Sequence, residues 1–243
     1  MSVGLANKRV LVIGGGSGIG FAVASAAAKD DARVVIASTR ADKLSTAAAQ
    51  LGDGANSAVL DATDEAAVAA FFATWGGFDH IVYTAGDWGA VRRRPFAGLD
   101  LAAAADVFRV RFWGALAVAK HGGALLPAGG SLTLTDGMIA HRPTKGSAVS
   151  SAMAGAIEHL TRALAVELAP ARVNCICPGI VRTGTWDSAP PEQRQVLERM
   201  TTRLLVPRAG EPSEVAEAYL YLMRGNYTTG QVLYVEGGST LGA

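Results

Sequence analysis

The sequence predicts an α/β fold: one doubly wound domain, 1–243, built on a seven-stranded parallel sheet with helices on both faces. Three observations predict it. Seven short apolar, β-branched runs recur along the chain, longer stretches with helical spacing of small and apolar residues separate them, and no linker-like stretch or internal repeat divides the whole. At 243 residues, 50% of them hydrophobic, the chain can bury a sizeable core by itself.

The first run, 10–13, breaks at once into glycine and is followed by a helical stretch at 19–29. A second strand candidate at 34–37 leads to a helix at 42–51, a third at 58–60 to a helix at 65–75, and a fourth at 81–84 to a long helix at 100–119. The fifth run, 132–135, precedes a helix at 147–168; the sixth, 173–176, and the seventh, 231–235, flank the last helix, 213–223. Asp42 and Ser213 stand where N-caps are expected, Pro212 precedes the second of these, and Pro170 closes the long helix that ends near Ala169. The segment 181–212 fits no strand. It carries Pro190-Pro191, Pro207 and Gly210 around a short amphipathic piece at 192–202, and such an insertion after a strand's carboxyl end is expected to lie over the ligand crevice as a lid or substrate loop.

Lys and Arg number 22 and Asp and Glu 21, a formal net charge of +1, which leaves no electrostatic case for nucleic acid or an anionic membrane as partner. Cys175 and Cys177 fall on one face of a strand, too constrained to bridge each other, so buried thiols in a reducing compartment are expected. Lys8 and Arg9 precede an apolar run too short for a signal-peptide core, and no stretch approaches the roughly 18 apolar residues of a membrane span. The expectation is a cytoplasmic protein acting on a small molecule. No His, Cys and Asp cluster has metal-ligand spacing, and no Ser-His-Asp arrangement can be read along the chain.

Between the first strand and the first helix lies Gly14-Gly15-Gly16-Ser17-Gly18-Ile19-Gly20. Glycine lets the backbone turn sharply, brings amide groups close to a pyrophosphate and lets the helix sit tightly on the sheet with its positive end towards the anion. A Gly-rich surface turn is the alternative, but a cluster placed between strand and helix at the start of the alternation points to a dinucleotide. The spacing Gly14, Gly18, Gly20 resembles that of the short-chain dehydrogenase/reductase family, and the resemblance extends over the entire chain. Asp61-Ala62 looks like the family's adenine-contacting acid and its neighbour, and Ala85-Gly86 matches the second half of its Asn-Asn-Ala-Gly turn. Pro178-Gly179-Ile180-Val181-Arg182-Thr183 is similar to the loop that lines the nicotinamide, and Glu236-Gly237-Gly238 to the structural terminal motif.

The resemblance implies a Rossmann-like fold, a nicotinamide cofactor and a homo-tetramer or homo-dimer. The cofactor's 2′ position falls at Ser38, Thr39 and Arg40, where an Asp would accept the ribose hydroxyls of NAD(H). Two hydroxyls, a guanidinium and no carboxylate favour NADP(H), unless Arg40 merely points into solvent.

The positions that divide the family's chemistry are altered. The long helix aligns without a gap from Ala156 to Leu168, which puts Ser150 at the Tyr position, Ala154 at the Lys and Gly137, beside Asp136, at the Ser. Val110-Arg111-Phe112-Trp113-Gly114 matches Val-Asn-x-x-Gly, with Arg111 for the Asn. Tyr83-Thr84 replaces Asn-Asn, Ile13 replaces the Thr before the first glycine, and none of the five tyrosines has a Lys four places on. A positioned general acid is worth typically about 10²–10⁴-fold, so the family's usual hydride transfer is not expected.

Three readings follow. In the first, an NADP(H)-dependent oxidoreductase acts on a carbonyl or alcohol through a rebuilt site in which Arg111, Asp136, Ser150 or His141 supplies the proton or polarises the substrate. Arg111 keeps its proton but can stabilise an oxyanion; the alternative is a helix-surface cation, against which Phe112 and Trp113 suggest a buried face. His141 is otherwise a surface histidine. The second reading is a non-redox lyase, dehydratase, isomerase or cyclase on the same fold, and the third a non-catalytic nucleotide-binding member. Arg92-Arg93-Arg94 after Asp87-Trp88 is either an anion-binding rim or a solvated charge run, and Trp88 and Trp186 either pocket walls or loop packing.

Overall fold

A computed structural model describes residues 4–52, 54–86, 95–187 and 189–241. Seven parallel strands, β1 (Arg9–Ile13), β2 (Arg33–Ser38), β3 (Asn56–Val59), β4 (His80–Tyr83), β5 (Ser131–Thr135), β6 (Arg172–Pro178) and β7 (Val232–Val235), lie in the order β3-β2-β1-β4-β5-β6-β7. Each strand run read from the sequence is present. The helices are α1 (Gly18–Lys29), α2 (Ala41–Leu51), α3 (Glu65–Trp75), α4 (Leu101–Phe108), α5 (Ala115–Gly122), α6 (Ala148–Glu167), α7 (Gly184–Asp187), α8 (Pro191–Thr201) and α9 (Pro212–Arg224). This is a single Rossmann-like domain.

The period of two in a strand divides the core. Leu11 and Ile13 of β1 point to one side, where they pack with Phe72 of α3, Val118 of α5 and Met153 and Ile157 of α6; Val10 and Val12 point to the other, against Val23 of α1 and Tyr219 and Leu220 of α9. Both layers are buried, and β1, β4, β5 and β6 are buried along almost their whole length, polar positions such as Thr133 and Asn174 included. Arg9 extends its guanidinium past Phe78, 4.6 Å from the ring centroid, to the Gly77 and Trp75 carbonyls, and so caps the end of α3. No helix among the described residues is long and apolar enough to cross a membrane.

Three local expectations are corrected. The N-caps are Arg40 and Glu211: Asp42 is the second residue of α2, and Glu211 forms a reciprocal capping box with Glu214, so it starts the helix that Ser213 was expected to cap. Arg208 grips Glu214 with both guanidinium nitrogens (2.6 and 2.7 Å), which holds its carboxyl at about 2. The long helix at 100–119 is interrupted by a π-helical turn, Arg109–Gly114, and Trp113 is exposed while Phe112 packs inward. In the segment 181–212, the short α7 is followed by α8, which the amphipathic piece forms, and a bridge between Val181 and Gly210 ties the segment's two ends together.

His80 opens β4 in a buried position, with Nδ1 2.9 Å from the Ser131 hydroxyl. Burial, helped by the nearby Arg172 charge, drives its pKa down to about 4, so the folded chain binds fewer protons here than the unfolded chain does between about pH 4 and 6.5. Its contribution is complete above the unfolded value and is lost as pH falls through that window. Urea unfolding at pH 7.5 and 4.5 should therefore show a pH-dependent loss in the wild type that is smaller, by up to about 3 kcal/mol, in His80→Gln; equal losses in both would contradict the assignment.

Candidate active site

The strand order reverses between β1 and β4, and a cleft of about 1110 Å³ opens beyond their carboxyl ends. The turn after β1 passes the end of β4 at closest approach. Gly14, at φ +89°, has no room for a side chain: a Cβ there would lie 2.6 Å from the Ala85 nitrogen and 2.7 Å from Thr84 Oγ1. At Gly20 a Cβ would collide with the Gly14 carbonyl oxygen and with Thr84 Oγ1. The Thr84 hydroxyl donates to the Ile13 carbonyl at 3.0 Å, so Thr84 bridges the two strand ends.

The first-turn amide groups of α1 have no helical carbonyl to bind, and Gly16, Ser17, Gly18, Ile19 and Gly20 all line the cleft. The cradle has two distinguishable ends. A Cβ on Gly16 would lie 3.4 Å from Ser38 Oγ and 3.5 Å from Lys43 Cβ, whereas one on Gly18 would lie 3.4 Å from Thr183 Cγ2. Ser38, Thr39, Arg40 and Asp61 with Ala62 stand at the first end, and Arg40 is paired with Asp42 at 3.0 Å. Lys43 joins them. Sequence reasoning missed it, because its place one turn into α2 is legible only once Asp42 is known to lie within the helix. Two hydroxyls and two cations over a glycine turn fit a phosphorylated ribose next to a pyrophosphate.

At the second end, Ala85, Gly86, Pro178, Gly179, Ile180 and Thr183 close round the other half of the cleft. Gly179 donates its amide to the Val235 carbonyl at 3.0 Å, which pins the loop to β7. Trp186, Leu197, Met200, Leu204 and Arg203 form the outer wall, so the chain's 181–212 segment does border the cavity. Arg182 lies over the Trp186 ring at 5.3 Å. Asp87, Trp88 and Arg92 to Arg94 lie outside the described residues.

Two charged groups meet at this end. Arg111 sits in the π-helical turn, whose loosened geometry is held by the Tyr83 hydroxyl donating to the Val110 carbonyl. Its guanidinium lies against the Cα of Gly86, where a Cβ would come 2.5 Å from Cζ. Asp136 follows β5, 2% exposed, and among the described residues neither carboxylate oxygen has a hydrogen-bond partner. Burial, with Glu158 adding to it, raises its pKa to about 7, so the carboxyl exchanges its proton near neutrality. The missing side chain of Gly137 leaves the cavity open beside it.

Ser150 lines the cleft, but its hydroxyl donates to the Ser147 carbonyl at 3.1 Å, and Ala154 is buried one turn on. His141 does not line the cleft. Its Nε2 contacts Glu158 Oε1 and lies 3.1 Å from the Tyr234 hydroxyl. The ligand-type atoms of Asp136, His141, Glu158 and Cys177 all fall within 4.8 Å of one another, although the sequence offers no such cluster. Three separate segments contribute them, the β5–α6 connection, α6 and β6, so no linear spacing could have signalled it.

The chain matches, over residues 14–240, the family model described as enoyl-(acyl carrier protein) reductase. It is 36% identical to the short-chain dehydrogenase/reductase ucsE of an Acremonium species, covering 98% of this chain and 97% of that one. It is 33% identical to the short-chain dehydrogenase/reductase malC of Malbranchea aurantiaca, covering 98% and 96%. Among solved structures, a small-chain dehydrogenase in complex with NADPH superposes with a TM-score of 0.80 at 34% identity, covering 97% of this chain and all of that one. The MalC reductase/Diels-Alderase superposes with a TM-score of 0.89 at 33% identity, covering 98% and 97%.

The closeness of the glycine turn to β4 is testable. Gly20→Ala should lose about 1–3 kcal/mol in urea unfolding because its methyl must displace backbone, whereas Gly16→Ala, with ordinary space around it, should stay within about 0.5 kcal/mol of wild type. Equal effects would mean that the turn is looser than described.

Proposed function

The chain belongs to the short-chain dehydrogenase/reductase family, and we propose that it is an NADPH-dependent reductase of a small carbonyl compound that works without the family's Tyr and Lys. One observation carries the reading: a buried, unpartnered Asp136 carboxyl and the Arg111 guanidinium border one end of a cleft whose other end is a glycine cradle rimmed by hydroxyls and cations. When bound, the nicotinamide supplies a hydride. The α1 amides hold the pyrophosphate, and Ser38, Thr39, Arg40 and Lys43 receive the 2′-phosphate; NADP(H) over NAD(H) follows from the absence of a carboxylate at Ser38. Asp61 and Ala62 border the adenine, while Ile180 and Thr183 border the nicotinamide.

Arg111 stabilises negative charge as it develops on the substrate oxygen, and cannot itself release the proton. Asp136 supplies the proton, because it is the titrating group at this end that exchanges its proton near neutral pH. Ser150 is left an orienting role through its oxygen's free lone pairs. The segment 181–212, with α8, closes over the substrate, and its apolar wall of Trp186, Leu197, Met200 and Leu204 suits a hydrophobic, ring-bearing compound. The exposed Leu101, Trp113 and Val166, on helices that flank the sheet, suit a homo-dimer or homo-tetramer.

A second reading has one observation in its favour. MalC, alike over nearly the whole chain, is described as a reductase/Diels-Alderase. In that reading, the same Arg111 and Asp136 polarise an unsaturated substrate and the cleft enforces its folding, so product forms without oxidation of NADPH. Following NADPH absorbance alongside product separates the two.

Calorimetric titration should give NADPH at least about tenfold tighter than NADH, with Lys43→Ala and Arg40→Ala each weakening NADPH and leaving NADH unchanged. Binding of neither cofactor at millimolar concentration would remove the reading. At saturating NADPH, Arg111→Ala should lower kcat by about 10²-fold and Arg40→Ala by little. Equal losses would count against the role given to Arg111.

A further inference from the structure

We infer that Glu158, His141 and Tyr234 form a proton path that recharges Asp136 from solvent, behind the cleft and away from substrate and cofactor. The inference rests on the reading of Asp136 as the proton donor. Asp136 is enclosed on every side but the cleft, so once substrate and cofactor fill that cavity the carboxylate left by a turnover has no water route back to its acid form. It also cannot be reached through α6 on the cleft side, since Ser150 commits its hydroxyl proton to a carbonyl and Ala154 has none to give.

The outward route runs through contacts from Glu158 to His141 and Tyr234, with the Asp136 carboxylate within 4.8 Å of Glu158. Glu158 projects from α6 towards Asp136, 6% exposed, with its ligand-type oxygen within 4.8 Å of the Asp136 carboxylate. Its Oε1 meets His141 Nε2, and Oε2 lies 3.9 Å from the Arg162 guanidinium. The Tyr234 hydroxyl reaches the same imidazole nitrogen at 3.1 Å, and the two rings pack edge to face, 4.9 Å between centroids. His141 is partly exposed and Tyr234, on the edge strand β7, is 42% exposed, so the path ends in water.

The other groups facing the path do not divert it. Cys177 and Cys175 of β6 have thiols pushed up by burial among these acids, so they stay protonated, and Cys177 donates weakly to the Met138 sulfur at 3.7 Å. Just after β7, the Glu236 carboxylate accepts from Thr240, from its amide at 3.0 Å and its hydroxyl at 3.3 Å. Arg111 lies with its guanidinium against Gly86. A purely structural cluster would satisfy all its polar members, whereas this one leaves both Asp136 oxygens unpaired at the cleft end and joins the rest outward.

Per turnover, the reduced nicotinamide, when bound, would supply a hydride with its electron pair to the carbonyl carbon, and the Asp136 carboxyl would give its proton to the oxygen. Glu158 returns a proton to Asp136, His141 Nε2 to Glu158, and water, directly or through the Tyr234 hydroxyl, to His141. The net change consumes NADPH and one solvent proton, and no other reactant is needed.

The test uses the full-length protein, NADPH and phenanthrenequinone, a flat aromatic dicarbonyl suited to the apolar wall. A single turnover spends the proton already on Asp136; repeated turnovers need the path. His141→Gln should therefore keep NADPH affinity and the single-turnover rate within about twofold, lose at least about tenfold in steady-state kcat, and show a larger solvent deuterium effect on kcat. Added imidazole should restore turnover to His141→Gln. Equal loss in both regimes, or loss in neither, overturns the path while leaving the reductase reading intact if Asp136→Asn is inactive in a single turnover. A wild type that oxidises no NADPH overturns both. One equivalent of bound divalent metal, lost in His141→Gln, also overturns the path, since the four donors would then hold a cation.

Discussion

The cleft depends on how closely the backbone after β1 passes the end of β4. Gly14 and Gly20 have no side chains because Thr84 and the Ala85 nitrogen occupy that space, and the Thr84 hydroxyl ties the two strands where their connections part. This one contact seats α1 with its amide end over the switch point, sets Ser38 and Lys43 on one flank and Thr183 on the other, and brings Gly86 to where Arg111 can lie on it. A bulkier turn would tilt α1 away from the sheet, and the α1–α9 layer packed on Val10 and Val12 would follow.

Most of the fold was legible because buried parallel strands leave a simple trace, apolar runs broken by glycine and proline. All seven runs and the helices around them are found, and the errors are local. Asp42 and Ser213 looked like caps by residue type, but the choice was made by Glu211 pairing with Glu214 and by Arg40 turning into α2, contacts that local propensity does not contain. The interruption at Arg109–Gly114 was invisible for a related reason: its stabiliser, the Tyr83 hydroxyl, is 27 residues away. The glycine turn stands out by its place between strand and helix, and Ser38, Asp61 and Pro178, expected from the family resemblance, line the same cleft. The buried acid cluster was not legible, since Asp136, His141, Glu158 and Cys177 come from three segments and carry no shared pattern.

Loss of a Tyr and a Lys from a site of this kind removes more than two side chains. Ser150 and Ala154 are too short to reach the cavity's centre, and Gly137 removes a third group, so the volume they vacate becomes available to substrate. Charge then sits at the walls, on Arg111 and on Asp136 once its proton is spent, rather than on the α6 surface. Burial, with Glu158 adding to it, raises the Asp136 pKa to about 7, whereas a phenol needs a neighbouring cation to be of use near neutrality. The arrangement replaces an electrostatic tuning device with a dielectric one.

The π-helical turn carries one residue more per hydrogen-bonded loop than the α-helices on either side of it, and this makes the α4–α5 rod a phase shifter. Upstream, Ala104 and Val107 keep their buried phase; downstream, Ala115 and Val118 keep theirs; the surplus angle is absorbed between them and spent on aiming Arg111. Removing one residue from this turn would restore a regular helix while rotating Arg111 by about 100° about the axis. Both flanking stripes would still find the core, yet the guanidinium would leave Gly86. Chain length through this stretch is therefore itself a determinant of the site, and a related sequence one residue shorter here would share the fold without sharing the geometry.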